Sequence, residues 1–149
     1  MNRTRIKQTF AEYTNKYNAS DPKIRLKIDH TYRVAALAER IAQTVTDIPI
    51  DRDLAWTMGM LHDIGRFEQV KRYGTFVDSE SIDHAELGIT LLFEEGLLTQ
   101  FGDFTPEEQE LPKSALKIIT NTEFRKVCLR RKLHIAIYCV MQIRSIFSG

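Results

Sequence analysis

Apolar residues recur at intervals of three and four along most of the chain, a spacing that predicts α-helices. The first three predicted helices span residues 4–18, 22 to about 45, and 51 or 53 to 63. The third is apolar on most faces, so we expect it to be the buried central helix. Within it, Gly59 should let a neighbouring helix approach closely, and Gly65 should stop the helix at its C-terminal end.

The pattern changes after the third helix. Residues 66–80 mix aromatic and basic side chains, which predicts a loop. A fourth helix should begin at a serine cap, either Ser79 or Ser81, and end at Gly96. The loop and the fourth helix together follow the predicted central helix directly, so their polar residues are candidates for a functional site.

The C-terminal part continues the helical pattern. Residues 97–104 are expected to be irregular, and a fifth helix should begin at residues 105–108, although Pro112 requires it to start late or to bend. After Phe124, residues 135–140 are apolar on all sides, which suits either a strand or a helix. We favour a helix because no other segment offers a sheet to join, and the chain is therefore predicted to be all-α.

The composition is that of a soluble globular protein. The chain has 149 residues, 43% apolar and 28% charged, enough for one domain with a core. The net charge of +1 indicates neither a nucleic-acid nor a membrane partner, and no apolar stretch reaches the roughly 20 residues that cross a bilayer. The polar start does not resemble a signal peptide, and two cysteines outside any CxxC pair favour a reduced, cytoplasmic setting.

Charge is distributed unevenly along the chain. All 20 acidic residues lie at or before Glu123, whereas six of the 21 Lys and Arg follow it. Residues 1–123 therefore carry a formal charge of −5, and residues 124–149 carry +6. This contrast predicts a helical domain over residues 1–123 and a basic, apolar tail over 124–149 that packs on the domain or extends it.

The predicted central helix ends in His62-Asp63, a pair that needs an explanation. An ionised carboxylate near a core costs several kcal/mol unless it is paired or bound to a metal. Imidazole and carboxylate together are good ligands for Mn, Fe, Ni, Co or Zn. The alternative is that Asp63 pairs with Arg66 or Arg33 while His62 packs in the core, and the dipeptide alone favours that alternative.

Two further histidines change that balance. His30 lies on or beside the apolar stripe of the second helix, where a lone histidine is more often a packing residue than a ligand. With His62-Asp63 in the same chain, His30 becomes a third candidate ligand. Asp83-His84 lies near the start of the fourth helix, an end that favours anions, so His84 could bind phosphate, transfer a proton or ligate a second metal.

Basic residues follow the candidate ligands closely. Arg66, Lys71 and Arg72 occur together with aromatic residues in the predicted loop. Cations beside a metal suit a substrate that carries phosphate. A surface loop with aromatic anchors is an equally good interpretation of this segment.

These residues resemble the HD-domain superfamily of metal-dependent phosphohydrolases. His30 in the segment 28–35 resembles the first histidine of the family pattern, His62-Asp63 its central pair, and residues 81–88 its following segment. The resemblance covers about residues 22 to 120. It implies an all-α, HD-like bundle of about five to six helices, a bound divalent cation (Mn, Fe, Ni, Co, Zn or Mg), and hydrolysis of a small phosphate ester or nucleotide.

The resemblance also implies roles for individual residues. It implies a metal held by His30, His62 and Asp63. Catalysis would involve the following residues: Asp63, His84, Arg66 and, as a base or as a partner of a ligating histidine, Asp83. The substrate would be bound by Arg33, Arg66, Lys71 and His84.

One element of the family pattern is missing. The family's final metal-binding aspartate has no counterpart, because no Asp or Glu follows Glu123. His134 follows basic residues and is not counted as a ligand. The change to an acid-free tail suggests a truncated or frameshifted reading frame, which the genomic DNA would contradict if neither alternative frame encoded an Asp-containing helix.

The incomplete pattern leaves a rival interpretation. The chain could be a non-catalytic HD-like module that acts by binding or association, or a decayed hydrolase. Missing final helices would expose apolar surface and favour a homodimer. Nucleic-acid binding through the tail has little support, because its cations are few and aromatic residues are not interleaved with them.

Overall fold

The computed structural model describes residues 1–44 and 51–120, and all regular structure within these ranges is helical. The helices are α1 (Arg3–Thr14), α2 (Pro22–Thr44), α3 (Arg52–Leu61), α4 (Ile64–Tyr73), α5 (His84–Ile89), α6 (Leu98–Phe101) and α7 (Pro106–Thr120). A 3-10 turn covers Asp78–Glu80, and α5 continues as one π-helical turn, Thr90–Glu94. The prediction of an all-α fold is confirmed, whereas the predicted tail lies outside the described residues.

Side-chain caps explain where two of the predicted helices begin. The carboxylate of Asp51 accepts hydrogen bonds from the backbone N–H groups of Asp53 and Leu54, at 2.8 and 3.1 Å, and starts α3. Thr105 Oγ1 accepts from the Glu108 N–H at 3.2 Å, and Glu108 Oε2 accepts from the Thr105 N–H at 2.8 Å. This reciprocal capping box starts α7 at Pro106. Pro112 lies inside the helix, so the late start that it was expected to cause does not occur.

The predicted loop over residues 66–80 is wrong in its first half, where α4 occupies Ile64–Tyr73. Gly65 does not stop the preceding helix, because it lies in the first turn of α4. The helix forms because Ile64, Phe67 and Val70 recur every third position and are all buried. It ends at Gly74, whose positive φ of 69° lets its N–H bind the Val70 carbonyl at 2.8 Å.

The fourth predicted helix begins later than its serine caps suggested. It starts at His84, and its cap is Asp83, whose Oδ1 accepts from the N–H groups of Ala85 and Glu86 at 2.8 and 3.0 Å. The prediction that residues 97–104 are irregular is wrong in part, because α6 forms one helical turn there. No helix within the described residues is long and apolar enough to cross a membrane.

The buried core draws on helices that lie far apart in the sequence. Phe10 of α1, Phe67 of α4 and Phe101 of α6 are almost fully buried. Phe10 and Phe67 meet edge to face, with ring centroids 5.7 Å apart. Helices α2 and α3 approach so closely that a Cβ added at Gly59 would lie 2.5 Å from the Cα of Ala35, which confirms the predicted role of that glycine.

Candidate metal centre

His62 and Asp63 form the corner between α3 and α4. His62 caps the C-terminus of α3, and Asp63 precedes α4 with a φ of −112° and a ψ of 17°. Adjacent residues inside one helix point about 100° apart. At this corner the backbone departs from helical geometry, and His62 Nε2 lies 3.4 Å from Asp63 Oδ2, with both side chains buried.

The third predicted ligand joins them from α2. His30 Nε2 lies 3.5 Å from the same oxygen, Asp63 Oδ2. The candidate ligand atoms of His30, His62 and Asp63 all lie within 4.8 Å of one another. A histidine on one helix and a dipeptide 32 residues later are therefore brought together as the sequence predicted.

A hydrogen bond to the backbone orients the His62 ring toward the carboxylate of Asp63. Its Nδ1 lies 2.7 Å from the backbone oxygen of Gly59. A carbonyl only accepts hydrogen bonds, so Nδ1 carries a proton and Nε2 is the ring nitrogen that faces Asp63. Metal-ligating histidines commonly donate their other ring N–H in this way.

Protonation states in the cluster also suit a cation. Burial lowers the pKa of His30 to about 4, against the opposing charge of Asp63, so the imidazole is neutral near pH 7. Burial works to raise the pKa of Asp63, but His62, Lys27 and His84 outweigh it and hold this pKa well below its usual range. Neutral imidazole and ionised carboxylate are the forms that bind a divalent metal, so the donor set fits one.

His84 approaches the other oxygen of the same carboxylate. Its Nε2 lies 3.5 Å from Asp63 Oδ1, and only 2% of the residue is exposed. Its Nδ1 lies 2.8 and 3.0 Å from the two oxygens of Asp78, which accept a hydrogen bond from it. The structure thus brings His84 to the cluster and adds Asp78, which the sequence analysis did not single out.

Arg66 belongs to a hydrogen-bonded network beside the cluster. Its Nη1 donates to Gln69 Oε1 at 2.8 Å, to Asp78 Oδ1 at 2.7 Å and to the Phe76 carbonyl. Its Nε lies 4.0 Å from Asp63 Oδ1, and within the described residues this buried nitrogen has no hydrogen-bond partner. The guanidinium is therefore near the candidate ligands but anchored at one end.

Gln69 completes this network from the buried face of α4. Its Nε2 donates to Asp78 Oδ1, to Ser81 Oγ and to the Ile82 carbonyl, each at 2.9 Å. These bonds connect α4 to the segment that leads into α5. The position of His84 relative to Asp63 consequently depends on the network as well as on helix packing.

Three other predicted site residues have different surroundings. Asp83 caps α5, as described above. The exposed Arg33 donates from Nε to the Asp29 carbonyl at 3.3 Å. Lys71 is 60% exposed and lies over the ring of Tyr17, with its Nζ 5.7 Å from the centroid. Within the described residues, the ion pairs of Asp63 include none of these three.

Lys27 is a cation that the sequence analysis did not single out. It precedes His30 by three residues on α2, and its Nζ lies 2.7 Å from Asp63 Oδ2. Its side chain is 17% exposed, and Nζ also lies 5.3 Å from the centroid of the Phe76 ring. The available signal was its spacing, since residues three apart share one face of a helix.

The helical fold brings His30 to the buried His62-Asp63 corner. The protein is therefore a helical domain with a candidate metal-binding site. The HD domain family matches residues 28–134, well over half of the chain. The chain therefore belongs to the HD domain family, as its sequence pattern suggested. Searches of curated proteins and of solved structures found no match.

Proposed function

We propose that this chain is a metal-dependent phosphohydrolase that acts on a small phosphate ester or nucleotide. The observation that carries the proposal is the convergence of His30, His62 and Asp63, with the Nδ1 of His62 bound to a backbone carbonyl and its Nε2 turned toward the cluster. Membership of the HD domain family supports it, because that family is generally hydrolase-like.

The three side chains would hold one divalent cation, with Mn, Fe, Ni, Co, Zn or Mg as candidates. Such an ion polarises a phosphoryl oxygen and lowers the pKa of bound water, which makes hydroxide available near neutral pH. His30 and His62 would each contribute a neutral imidazole nitrogen, and Asp63 a carboxylate oxygen. Three protein ligands leave further positions for water and substrate.

Two more side chains are suited to the substrate. His84 points Nε2 at Asp63 while Asp78 fixes its Nδ1 proton, an arrangement that serves phosphate binding or proton transfer. Arg66 presents a buried Nε that can donate to a phosphate oxygen while its Nη1 stays anchored. Arg33 and Lys71, which are exposed, would contribute at the edge of the site if the substrate extends that far.

A specific observation favours a second candidate, a non-catalytic HD module. Lys27 already neutralises Asp63 at 2.7 Å, so the buried carboxylate has a counter-ion without any metal. Residues 124–149 contain no Asp or Glu, so they supply no carboxylate as a further metal ligand. On this alternative the helical surface would serve association, including association with a second copy of the chain.

Metal analysis and activity distinguish the two candidates. Protein purified without chelators should contain close to one divalent metal ion per chain and hydrolyse a generic aryl phosphate when Mn²⁺ is added. His62→Ala and Asp63→Ala should each lose the bound metal and the activity, because each removes a ligand. Asp29→Ala is the matched control, since this exposed aspartate adjoins His30 on α2 and its carboxylate has no place in the cluster.

The opposite result is equally clear. A folded, metal-free protein that does not take up Mn²⁺ and does not hydrolyse the aryl phosphate would overturn the enzymatic proposal. Activity that survives unchanged in Asp63→Ala would also overturn it, because the reaction would then belong to another site or to a contaminant.

A further inference from the structure

Lys27 and a metal ion at the candidate centre would compete for one oxygen atom of Asp63. Lys27 Nζ lies 2.7 Å from Asp63 Oδ2, and the same oxygen faces His30 Nε2 at 3.5 Å and His62 Nε2 at 3.4 Å. A divalent cation held by those three residues would bind this oxygen. The ammonium of Lys27 would then lie close to the metal ion that binds Asp63 Oδ2 in its place. Because like charges repel, the two would not share this oxygen.

The charges around the cluster show what the metal-loaded site would lack. The described ion pairs of the cluster join two carboxylates, Asp63 and Asp78, to two basic side chains, Lys27 and Arg66. These four charges cancel. A divalent cation would therefore add two positive charges in a largely buried place, which a phosphate dianion would match.

The two basic side chains differ in how firmly they are held. Arg66 Nη1 already donates to three acceptors on α4 and the following segment. Lys27 Nζ has three N–H donors on a flexible stem, and within the described residues the acceptor that it binds is Asp63 Oδ2. Lys27 is thus the cation that is able to turn from the carboxylate to a new anion.

We propose that Lys27 is a phosphate-binding residue of this centre: its ammonium pairs with Asp63 when no metal is bound and contacts the substrate phosphate when the metal is present. The inference rests on the proposed function and adds a residue and a ligand class to it. Lys27 pairs with the buried carboxylate in the metal-free protein and supplies a donor to the substrate in the metal-loaded protein.

Two binding measurements with opposite expected signs test the proposal. In Lys27→Met, Mn²⁺ should bind several-fold more tightly by calorimetry, because the ammonium that competes for Asp63 Oδ2 is gone. Inorganic phosphate should bind the Mn²⁺-loaded variant about tenfold more weakly, since a hydrogen bond to a charged group is lost. Lys27→Arg should keep the phosphate affinity within a few-fold, because it keeps the charge.

Two further variants guard against a purely structural effect. Lys27→Gln is neutral but can still donate to Asp63, so it replaces Lys27→Met if that variant does not fold, and the same two changes are expected. Lys23→Met is the matched control: Lys23 lies four residues earlier on α2, and its Nζ binds the Gly74 carbonyl at 2.6 Å. Neither affinity should change in this control.

Each remaining outcome contradicts the proposal in a distinguishable way. If wild-type protein binds Mn²⁺ and the neutral Lys27 variants keep their phosphate affinity, Lys27 has no role in phosphate binding and the proposed function stands. If Mn²⁺ and phosphate affinity fall together, Lys27 is only a structural support. If wild-type protein binds no Mn²⁺, the proposed function and the role of Lys27 fail together.

Discussion

Single carboxylates organise the centre, because each one has several partners. Asp63 offers Oδ2 to His30, His62 and Lys27, and Oδ1 to His84. Asp78 accepts from His84, Arg66 and Gln69. An anion that accepts this many hydrogen bonds stays ionised, and the pKa of Asp78 is accordingly lowered despite its partial burial.

Asp78→Asn should therefore weaken the proposed phosphatase activity by roughly 10–100-fold, the usual cost of losing a partner of a functional histidine. One amide oxygen cannot replace two charged oxygens that hold His84 and Arg66 together. Aryl phosphatase assays measure the loss, and nitrogen NMR should report a change in the tautomer of His84. Glu80→Gln is the control, because this exposed acid lies in the same 3-10 turn. Unchanged activity with an unchanged His84 signal would contradict the assigned position.

The sequence predicted which residues of the cluster would come together when the residue type itself was informative. Histidines and a buried carboxylate are uncommon enough to attract attention, and His30, His62 and His84 do meet at Asp63. The sequence pattern did not predict a role for Lys27 in the site, because a lysine on an amphipathic helix usually faces water. Its spacing from His30 places the two residues on one helix face, but its contact with Asp63 joins residues 36 positions apart, and no local pattern encodes that contact.

At the scale of elements, α4 and α5 pack with almost no space between them where Gly65 faces Gly88. A Cβ added at Gly65 would overlap the carbonyl oxygen of His84 and lie 2.7 Å from the backbone nitrogen of Gly88. Both are backbone atoms, so the two helices would have to separate. A Cβ at Gly88 would meet its nearest neighbour, Ile64 Cγ2, at an ordinary 3.5 Å.

Gly65→Ala should consequently destabilise the fold by about 1–3 kcal/mol, the usual cost of overpacking. Gly88→Ala should leave stability unchanged or raise it by up to about 1 kcal/mol, because alanine is the better helix former. Urea unfolding of the two variants measures the difference. Equal effects would mean that the close approach of α4 and α5 does not decide which glycine is required.

The close contact between α4 and α5 also explains why the sequence pattern predicted a loop where α4 forms. A glycine after an apolar helix ordinarily marks its end, and this rule predicts a stop at Gly65. Here the residue is a glycine because α5 leaves no room for a side chain, and the actual break comes earlier, at His62-Asp63. Close packing between elements is a tertiary fact, so a local rule about helix ends could not anticipate it.

At the scale of the whole molecule, the candidate site makes stability depend on pH. The pKa of His30 is about 4 in the folded chain, against an ordinary value of 6.5. Between these values the unfolded chain binds a proton that the folded chain does not, so the free energy of unfolding falls as pH falls from about 6.5 towards 4.

Chelator-treated protein should therefore unfold at lower urea concentration at pH 5 than at pH 7. His30→Gln should show a shallower decrease over this window, because the variant has no imidazole at this position to protonate. Urea midpoints at several pH values give the two slopes. A His30→Gln slope as steep as that of the wild type would assign the acid sensitivity to other groups.

Helix α1 shows that the fold extends beyond the residues that match the family. The match begins at residue 28, yet Phe10 packs on Phe67, and the Tyr13 hydroxyl donates to the Ile64 carbonyl at 3.1 Å. That bond fixes the first turn of α4, directly after the corner. The composition had already grouped this segment with the rest of residues 1–123, a boundary that stays a prediction.

The two close glycine contacts have a consequence for the length of the chain at the corner. Gly59 sits against α2 and Gly65 against α5, and each lies three residues from His62. Both ends of this seven-residue segment are thus fixed by close contact with the backbone of another helix. The insertion or deletion of a single residue between the two glycines would break one contact or the other. Homologous chains should therefore keep the spacing between these glycines even where other residues of the segment differ.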